Sequence, residues 1–297
     1  MPDNILTMEL ILDVGSTKTE WIILDENAVF QRFTTDGFNP NCTERQCLVS
    51  IVESAKTQYL APLPKEIQSI HYYGAGCGYE PNCRLIREVF QHNFPNAEID
   101  VTHDLMAACH AILGYEKGIA CVLGTGSNAC VYDGENIVER AVSLGYLVGD
   151  EGSGMHIGRE VVKTYFYGFM PVDLRDVFTA TYHLELDEFL NNVYHKGRPS
   201  KYLASFARFA DEHQTHPYIQ ELVKGCFRAF IEAFVLHFGN CKTMKVCFIG
   251  SVAMRFKDLL KDCLSEYGLM MGEVMQTPAE GLIRYYGMRH GVFMFNV

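Results

Sequence analysis

Apolar positions along this chain come in short runs that alternate with stretches of helical spacing, the pattern of an α/β protein. The first run, Leu10-Ile11-Leu12, ends at Asp13 and a turn of small residues, Gly15-Ser16-Thr17. The chain then returns through Glu20, Trp21, Ile22, Ile23 and Leu24, a β-branched and aromatic strand pattern closing at Asp25-Glu26-Asn27, so the opening reads as a hairpin. Helical spacing over 42–60 stops before Pro62 and Pro64, and a strand over 66–76 runs into the glycines of Gly74-Ala75-Gly76-Cys77-Gly78. A helix over 83–94 closes at Pro95, and 97–114 reads as a short strand followed by a helix beginning near Asp104.

The opening theme then recurs. Residues 117–140 are again an apolar strand, a glycine-serine turn, a second strand and a tight turn; aligning Gly15-Ser16 with Gly126-Ser127 brings Glu26-Asn27 near Glu135-Asn136. Two such halves predict two turns of the same chemistry facing one cleft. The rest is mainly helical, over 154–170, 200–213 and 217–238, before a strand in 245–260 that ends at Gly250-Ser251 and enters a helix. The pattern breaks near Gly114 to Gly118, which predicts domains of 1–115 and 116–297.

Composition narrows the partners. A hydrophobic share of 48% with 21% charged residues suits a soluble globular protein of 297 residues. No apolar run approaches the ~20 residues of a membrane span, and the start "MPDNILTMELILD" lacks the basic and apolar regions of a signal peptide, so a cytoplasmic protein is expected. The net charge of -11 argues against nucleic acid or an anionic membrane as partner. An anionic ligand then needs a local cradle of amides, hydroxyls or metal. The eleven cysteines include no CxxC and no zinc spacing, and are expected to be reduced, mostly buried thiols.

Each glycine turn has competing readings. Residues 124–129 fit a dinucleotide GxGxxA fingerprint, but that fingerprint needs a following helix, and "CVYDGENIV" has strand and turn chemistry. "GSTKT" echoes the end of a Walker A loop without its upstream glycine or helix. The 74–78 cluster reads as a turn at a strand end, and any one turn reads equally well as an ordinary hairpin.

Taken together, "DVGSTKTEW", "GFNPN", "HDLMAA", "GTGSN", "LGYLVGDEGSGMHIG" and "GSV" occur in an order that resembles the sugar kinase, heat-shock chaperone and actin superfamily. Within it they resemble the N-acetylglucosamine kinase family and its activator-ATPase relatives of the BadF/BadG type. The resemblance covers nearly the whole chain. It implies two ribonuclease H-like domains of the actin-like ATPase fold, with ATP and a sugar in the cleft between them. The activity implied is phosphorylation of N-acetylglucosamine at its 6-hydroxyl, with ATP and Mg2+, and pairing as a homodimer is common among such kinases.

Site roles follow from the resemblance residue by residue. Gly15, Ser16 and Thr17 are implied phosphate contacts, Asp13 a magnesium ligand through water, Thr125 and Gly126 the second phosphate contacts, and Gly250 and Ser251 the adenosine contacts. Asp104 is the implied catalytic base, since transfer to a sugar hydroxyl needs a carboxylate to orient it and take its proton. Asn39, Ser127 and Asn128 are implied sugar contacts, with Ser143, Leu144, Gly145 and Asp150 around the acetamido group. The residues by themselves also allow Asp13 as a strand-end residue, Asp104 as a helix cap, His103 as structural, Asn39 as a turn residue, and Glu151 and Ser153 as shapers of a turn. Two departures, Gly-Ser-Thr in place of Gly-Gly-Thr and a short second half, leave the sugar open. Glucosamine, N-acetylmuramic acid and glucose are alternatives. So is an activator ATPase of a 2-hydroxyacyl dehydratase-type enzyme, although the cysteines do not fall where those relatives carry cluster ligands. A sugar-sensing regulator would be expected to carry a helix-turn-helix ahead of the first turn.

Overall fold

The computed structural model describes residues 8–289 apart from 16–17, 26–28 and 64. They form two compact units, one of residues 1–114 with 278–297 and one of residues 115–277.

The first unit is built on a five-stranded sheet. Strands β1 (Met8–Val14), β2 (Lys18–Leu24) and β3 (Val29–Asp36) form an antiparallel meander, and β4 (Ile67–Gly74) and β5 (Glu98–His103) add in parallel beyond β1, giving the order β3-β2-β1-β4-β5. β1 is buried along its length because both faces of the sheet are covered. Leu10, Leu12, Trp21 and Tyr72 pack with Leu48 and Val52 of α1 (Arg45–Ala55) and with Ile86 and Phe90 of α2 (Glu80–Asn93). α3 (Asp104–Ile112) and α12 (Ala279–Arg289) pack on one another and on β1, β2 and β4.

The second unit repeats that scheme. β6 (Gly118–Leu123), β7 (Ser127–Tyr132) and β8 (Ile137–Arg140) are antiparallel neighbours, and β9 (Lys245–Ile249) and β10 (Met270–Met275) continue in parallel on the other side of β6. The order β8-β7-β6-β9-β10 matches that of the first sheet strand for strand. A large aromatic core backs it, in which Phe178, Phe209, Phe227 and Phe230 are fully buried. These come from α5 (Val172–Tyr182), α8 (Ala207–Glu212) and α9 (Pro217–Phe230), beside α4 (Gly154–Phe166) and α7 (Pro199–Ser205). α6 (Leu186–Tyr194), α10 (Ser251–Arg255) and α11 (Lys257–Glu266) complete the set.

The elements depart from the sequence expectation in specific ways. The helix expected over 42–60 is α-helical only to Ala55 and finishes as a π turn, Lys56–Leu60; α9 likewise gives way to a π turn at Ile231–Val235. The helices expected over 200–213 and after Gly250 each break at a buried phenylalanine, Phe206 and Phe256. α2 begins earlier than residue 83, because Pro81 suits the first helical turn.

The domain division needs correction at its far end. The units do part at Gly114, but the described residues from 278 to 289 belong with the first rather than the second. Contacts along α12 explain the return. A Cβ on Gly281 would overlap the Ala111 carbonyl of α3, Glu280 pairs with Arg32 of β3 at 2.5 Å, and the Tyr286 hydroxyl lies 2.6 Å from that of Tyr73 on β4. Among the described residues no helix is long and apolar enough to cross a membrane. None of the eleven cysteines is in a disulfide, and only Cys42 and Cys47 are exposed, as expected for small apolar side chains.

Candidate active site

In the first unit the site begins where β1 meets its turn. The Gly15 N–H donates to the Lys18 carbonyl at 2.9 Å, closing the hairpin, and Phe38 N–H donates to the Gly15 carbonyl at 3.1 Å. Ser16 and Thr17, the implied phosphate contacts, lie outside the described residues. Asp13 stands opposite Glu20 on β2 and beside Tyr73 on β4. Burial first, then the carboxylates of Glu20 and Asp104, push its carboxyl up to about 7, against a weaker opposing effect of Lys18. Glu20 is itself held by Arg32 at 2.6 Å, and Arg32 is held in turn by Glu280.

Asp104 is exposed and heads α3. Its Oδ1 accepts from the Leu105 N–H at 3.0 Å, while the cap itself is His103, whose Nδ1 accepts from the Met106 N–H at 3.2 Å. His103 therefore does the structural work, and the Asp104 carboxylate projects from the strand-to-helix junction within electrostatic reach of Asp13. Asn39 closes an Asx turn, with its Oδ1 accepting from the Asn41 N–H at 3.0 Å. The 74–78 cluster is the expected turn after β4, and it packs on Asn39: Gly76, at φ +81°, leaves room for a Cβ only 3.1 Å from the Asn39 Oδ1. Asn82 pins both pieces, donating to the Asn41 Oδ1 at 2.8 Å and the Gly76 carbonyl at 2.9 Å.

In the second unit Gly124-Thr125-Gly126 joins β6 to β7, with Gly124 N–H donating to the Gly126 carbonyl at 3.0 Å. The start of α4 docks on this turn: the Gly154 N–H donates to the Gly124 carbonyl at 2.8 Å and the Met155 N–H to the Thr125 carbonyl at 3.2 Å. None of the turn's described hydrogen bonds uses the amides of Thr125 or Gly126. Asp150, at φ 60°, places its carboxylate against Gly126 and accepts from the Ser127 N–H at 3.2 Å. Burial pushes the Asp150 carboxyl upward, partly offset by that amide. Ser127 is buried and its Oγ has no partner among the described residues, while the Asn128 Oδ1 accepts from the Ala129 N–H at 2.9 Å. Ser143 and Leu144 are exposed in the stretch between β8 and α4, and Gly145 has φ 70°.

Gly250, at φ 135°, lies directly against the end of β6, where a Cβ would overlap the Leu123 carbonyl. Its N–H donates to the Met275 carbonyl at 2.9 Å. Beside it opens a cavity of about 620 Å³ whose lining includes Thr125, Gly154, Ser251, Arg208, Asp211 and Arg255. Glycine edges, hydroxyls and paired ions make this a polar, nucleotide-sized site.

The profile of the BadF/BadG/BcrA/BcrD ATPase family matches residues 12–283. The chain belongs to that family. Within this ATPase family context, a structure described as a proposed N-acetylglucosamine kinase from Porphyromonas gingivalis matches at 36% identity and a TM-score of 0.87, covering 95% of this chain and 99% of that one. A second proposed N-acetylglucosamine kinase, from Chromobacterium violaceum, matches at 17% identity and a TM-score of 0.69 over 94% of this chain and 98% of its own, which bears on the fold alone. The N-acetylmuramic acid/N-acetylglucosamine kinase of Clostridium acetobutylicum is 24% identical over 210 residues, 66% of this chain and 67% of that protein.

Sequence reading missed Gly154 and Met155, whose amides hold the second turn, and the Arg255–Asp211 pair in the cavity wall. The Gly-Ser-Gly run before an apolar periodic stretch was the available signal for the first, as a helix start. Nothing in the local pattern marks the second.

Proposed function

We propose that this family member is an ATP-dependent sugar kinase acting on an amino sugar, with N-acetylglucosamine as the favoured substrate and its 6-hydroxyl as the acceptor. The observation that carries the reading is the pair of carboxylates at the ends of β1 and β5, with β4 between them: Asp13, pushed up to about 7 by burial and by Glu20 and Asp104, and the exposed Asp104 heading α3. A carboxylate that close to others is poised to receive a divalent cation, which would offset the crowding. Among the described residues no group of three or more His, Cys, Asp or Glu forms a metal cage. The cation proposed is magnesium, which Asp13 would hold through water and which would supply neutralisation of the phosphate charge.

Asp13 and the Gly15 turn serve the phosphates and their cation, and the Thr125-Gly126 turn offers amides to them. The cavity beside Gly250 and Ser251 takes the adenosine. Asp104 orients the acceptor hydroxyl and accepts its proton as that oxygen bonds to the γ-phosphorus and the bond from phosphorus to the bridging oxygen breaks, with ADP as the leaving group. Asn39, Ser127, Asn128 and Asp150 supply polar contacts to the sugar, with Ser143 to Gly145 alongside; pairing with specific hydroxyls rejects analogues that lack them. The names of the Porphyromonas and Clostridium relatives support the amino sugar, and the latter keeps N-acetylmuramic acid as the second candidate.

The test is ADP release with magnesium and ATP across N-acetylglucosamine, N-acetylmuramic acid, glucosamine and glucose. Stimulation by an N-acetylated sugar well above the sugar-free rate is expected. No stimulation by any of the four would sink the reading.

A further inference from the structure

α4 opens on an unusual pair of reciprocal contacts. Ser153, fully buried, caps the helix by accepting from the His156 N–H at 3.2 Å, and His156 answers through its ring, with Nδ1 accepting from the Gly152 N–H at 3.0 Å. This is a variant of the capping box: an imidazole stands where a glutamate or glutamine is usual, and it takes the amide of Gly152, the residue before the cap, while the Ser153 N–H goes to Asp150. Gly152 has no freedom to drift: it sits at φ +72°, and a Cβ there would fall 2.7 Å from the Phe230 Cβ of α9.

The same few residues hold the phosphate turn. The Ser153 N–H donates to the Asp150 carbonyl at 3.2 Å, which fixes the left-handed Asp150 and so the carboxylate that receives the Ser127 N–H. The next two amides of α4, Gly154 and Met155, go to the carbonyls of Gly124 and Thr125. The route from the imidazole to the turn thus runs through Gly152, Ser153 and Asp150 to Ser127, three hydrogen bonds joined by short covalent steps along the chain.

From this geometry we infer that His156 is a positioning residue, whose neutral imidazole locks the Asp150–Ser153 turn and thereby holds Gly124–Ser127 in the shape that receives phosphate, so that nucleotide affinity falls when the ring is protonated. A protonated Nδ1 carries a hydrogen of its own and opposes the Gly152 N–H instead of accepting it.

The surroundings favour the neutral ring. Burial lowers its pKa below the ordinary 6.5, helped by Arg159 and Lys163 on the same helix and opposed by Glu160 and Glu151. From α9, packed over the turn, the titratable group is Cys226, a thiol pushed up to about 12 and so uncharged. α7 and α8 pack on the Gly158 side of α4, where the Leu203 carbonyl meets that glycine, and the Arg208–Glu212 ion pair of α8 is closed on itself. Because the folded pKa is lowered, the contact is complete above about pH 6.5 and is lost as pH falls through the folded value.

The inference rests on reading Gly124–Ser127 as a phosphate turn, so its test is binding rather than turnover. Affinity for ADP and for Mg-ATP is measured by calorimetry on the whole protein between about pH 5 and pH 8, for the native chain, His156→Ala and His156→Gln. Native affinity is expected to drop on the acid side, and His156→Ala to be about tenfold weaker at neutral pH, the loss of one buried hydrogen bond. His156→Gln, which restores a non-titrating acceptor, is expected to recover most of the affinity and flatten the acid limb. An acid limb of the same depth and midpoint in His156→Gln as in the native protein would overturn the inference, as would unchanged affinity in a folded His156→Ala. If the native protein binds no nucleotide at any pH, the kinase reading itself falls, a result separable from either of those.

Discussion

Gly250 rests against the Leu123 carbonyl so closely that a Cβ on it would overlap that oxygen. β6 delivers Leu123 to the Gly124–Gly126 turn and β9 delivers Gly250 to the edge of the neighbouring cavity, so one missing methyl group lets two strands end side by side. The backbone there is also at φ 135°, a region L side chains avoid. Gly250→Ala is therefore expected to lose about 2–4 kcal/mol of stability from overlap and backbone strain. The melting temperature should fall and ADP should no longer raise it. A variant that melts within a degree or so of the native protein would show that β9 can shift, and that this close approach is not needed.

Ser127 makes a prediction of opposite sign. Its Oγ is buried without a partner among the described residues, and a hydroxyl in that state costs about 1 kcal/mol or more. Ser127→Ala should raise the stability of the ligand-free protein by about 0.5–1 kcal/mol, while raising KM for the sugar if the hydroxyl makes the sugar contact proposed for it. Chemical denaturation reads the first effect and initial rates the second. A loss of stability on substitution would mean the hydroxyl already serves the fold.

The hairpins that open the two sheets were legible in the sequence, and the reason is local. A strand that ends in a glycine-hydroxyl turn and returns as a strand carries its signal within some fifteen residues, as at Asp13–Gly15 and at Leu123–Ser127. The order of those turns carried the family. What stayed hidden depends on partners distant in sequence. No feature of 279–289 says that Glu280 will meet Arg32 or that Gly281 will meet Ala111, so the return of α12 to the first unit was missed. His156 reads as one more helical residue until its ring is seen on the Gly152 N–H. Asp104 was the reverse case: its place before an apolar run suggested a cap, yet the neighbouring His103 took that role and left the carboxylate outside.

Asp13 ties stability to pH. Its carboxyl is pushed up to about 7 from 3.8, by burial above all and then by Glu20 and Asp104. In the unfolded chain the same group ionises near its ordinary value. Between about pH 4 and pH 7 the folded protein therefore holds a proton that the unfolded chain has released, and stability declines as pH rises through that window. Asp13→Asn removes the penalty, and at pH 8 the ligand-free variant should be more stable by about 1–3 kcal/mol. The stabilisation that Mg-ATP gives the native protein should disappear with it. Thermal melts across pH, with and without Mg-ATP, check both; parallel curves for the two proteins would remove Asp13 as the source of the slope.

Asp104 separates chemistry from structure through the choice of substitution. Its Oδ1 receives the Leu105 N–H at 3.0 Å, so alanine would strip an acceptor from the first turn of α3 and confuse a loss of catalysis with a loosened helix. Asparagine keeps an acceptor oxygen in the same place and removes only the charge and the basicity. His103 continues to cap the helix through the Met106 N–H in either case. Asp104→Asn should therefore melt within about one degree of the native protein, bind sugar and nucleotide with KM values changed less than about threefold, and lose about 10²–10⁴ in kcat, the range expected when a positioned general base is removed. If kcat stays within about tenfold while KM for the sugar climbs, the carboxylate is a binding group and the proton leaves by another route.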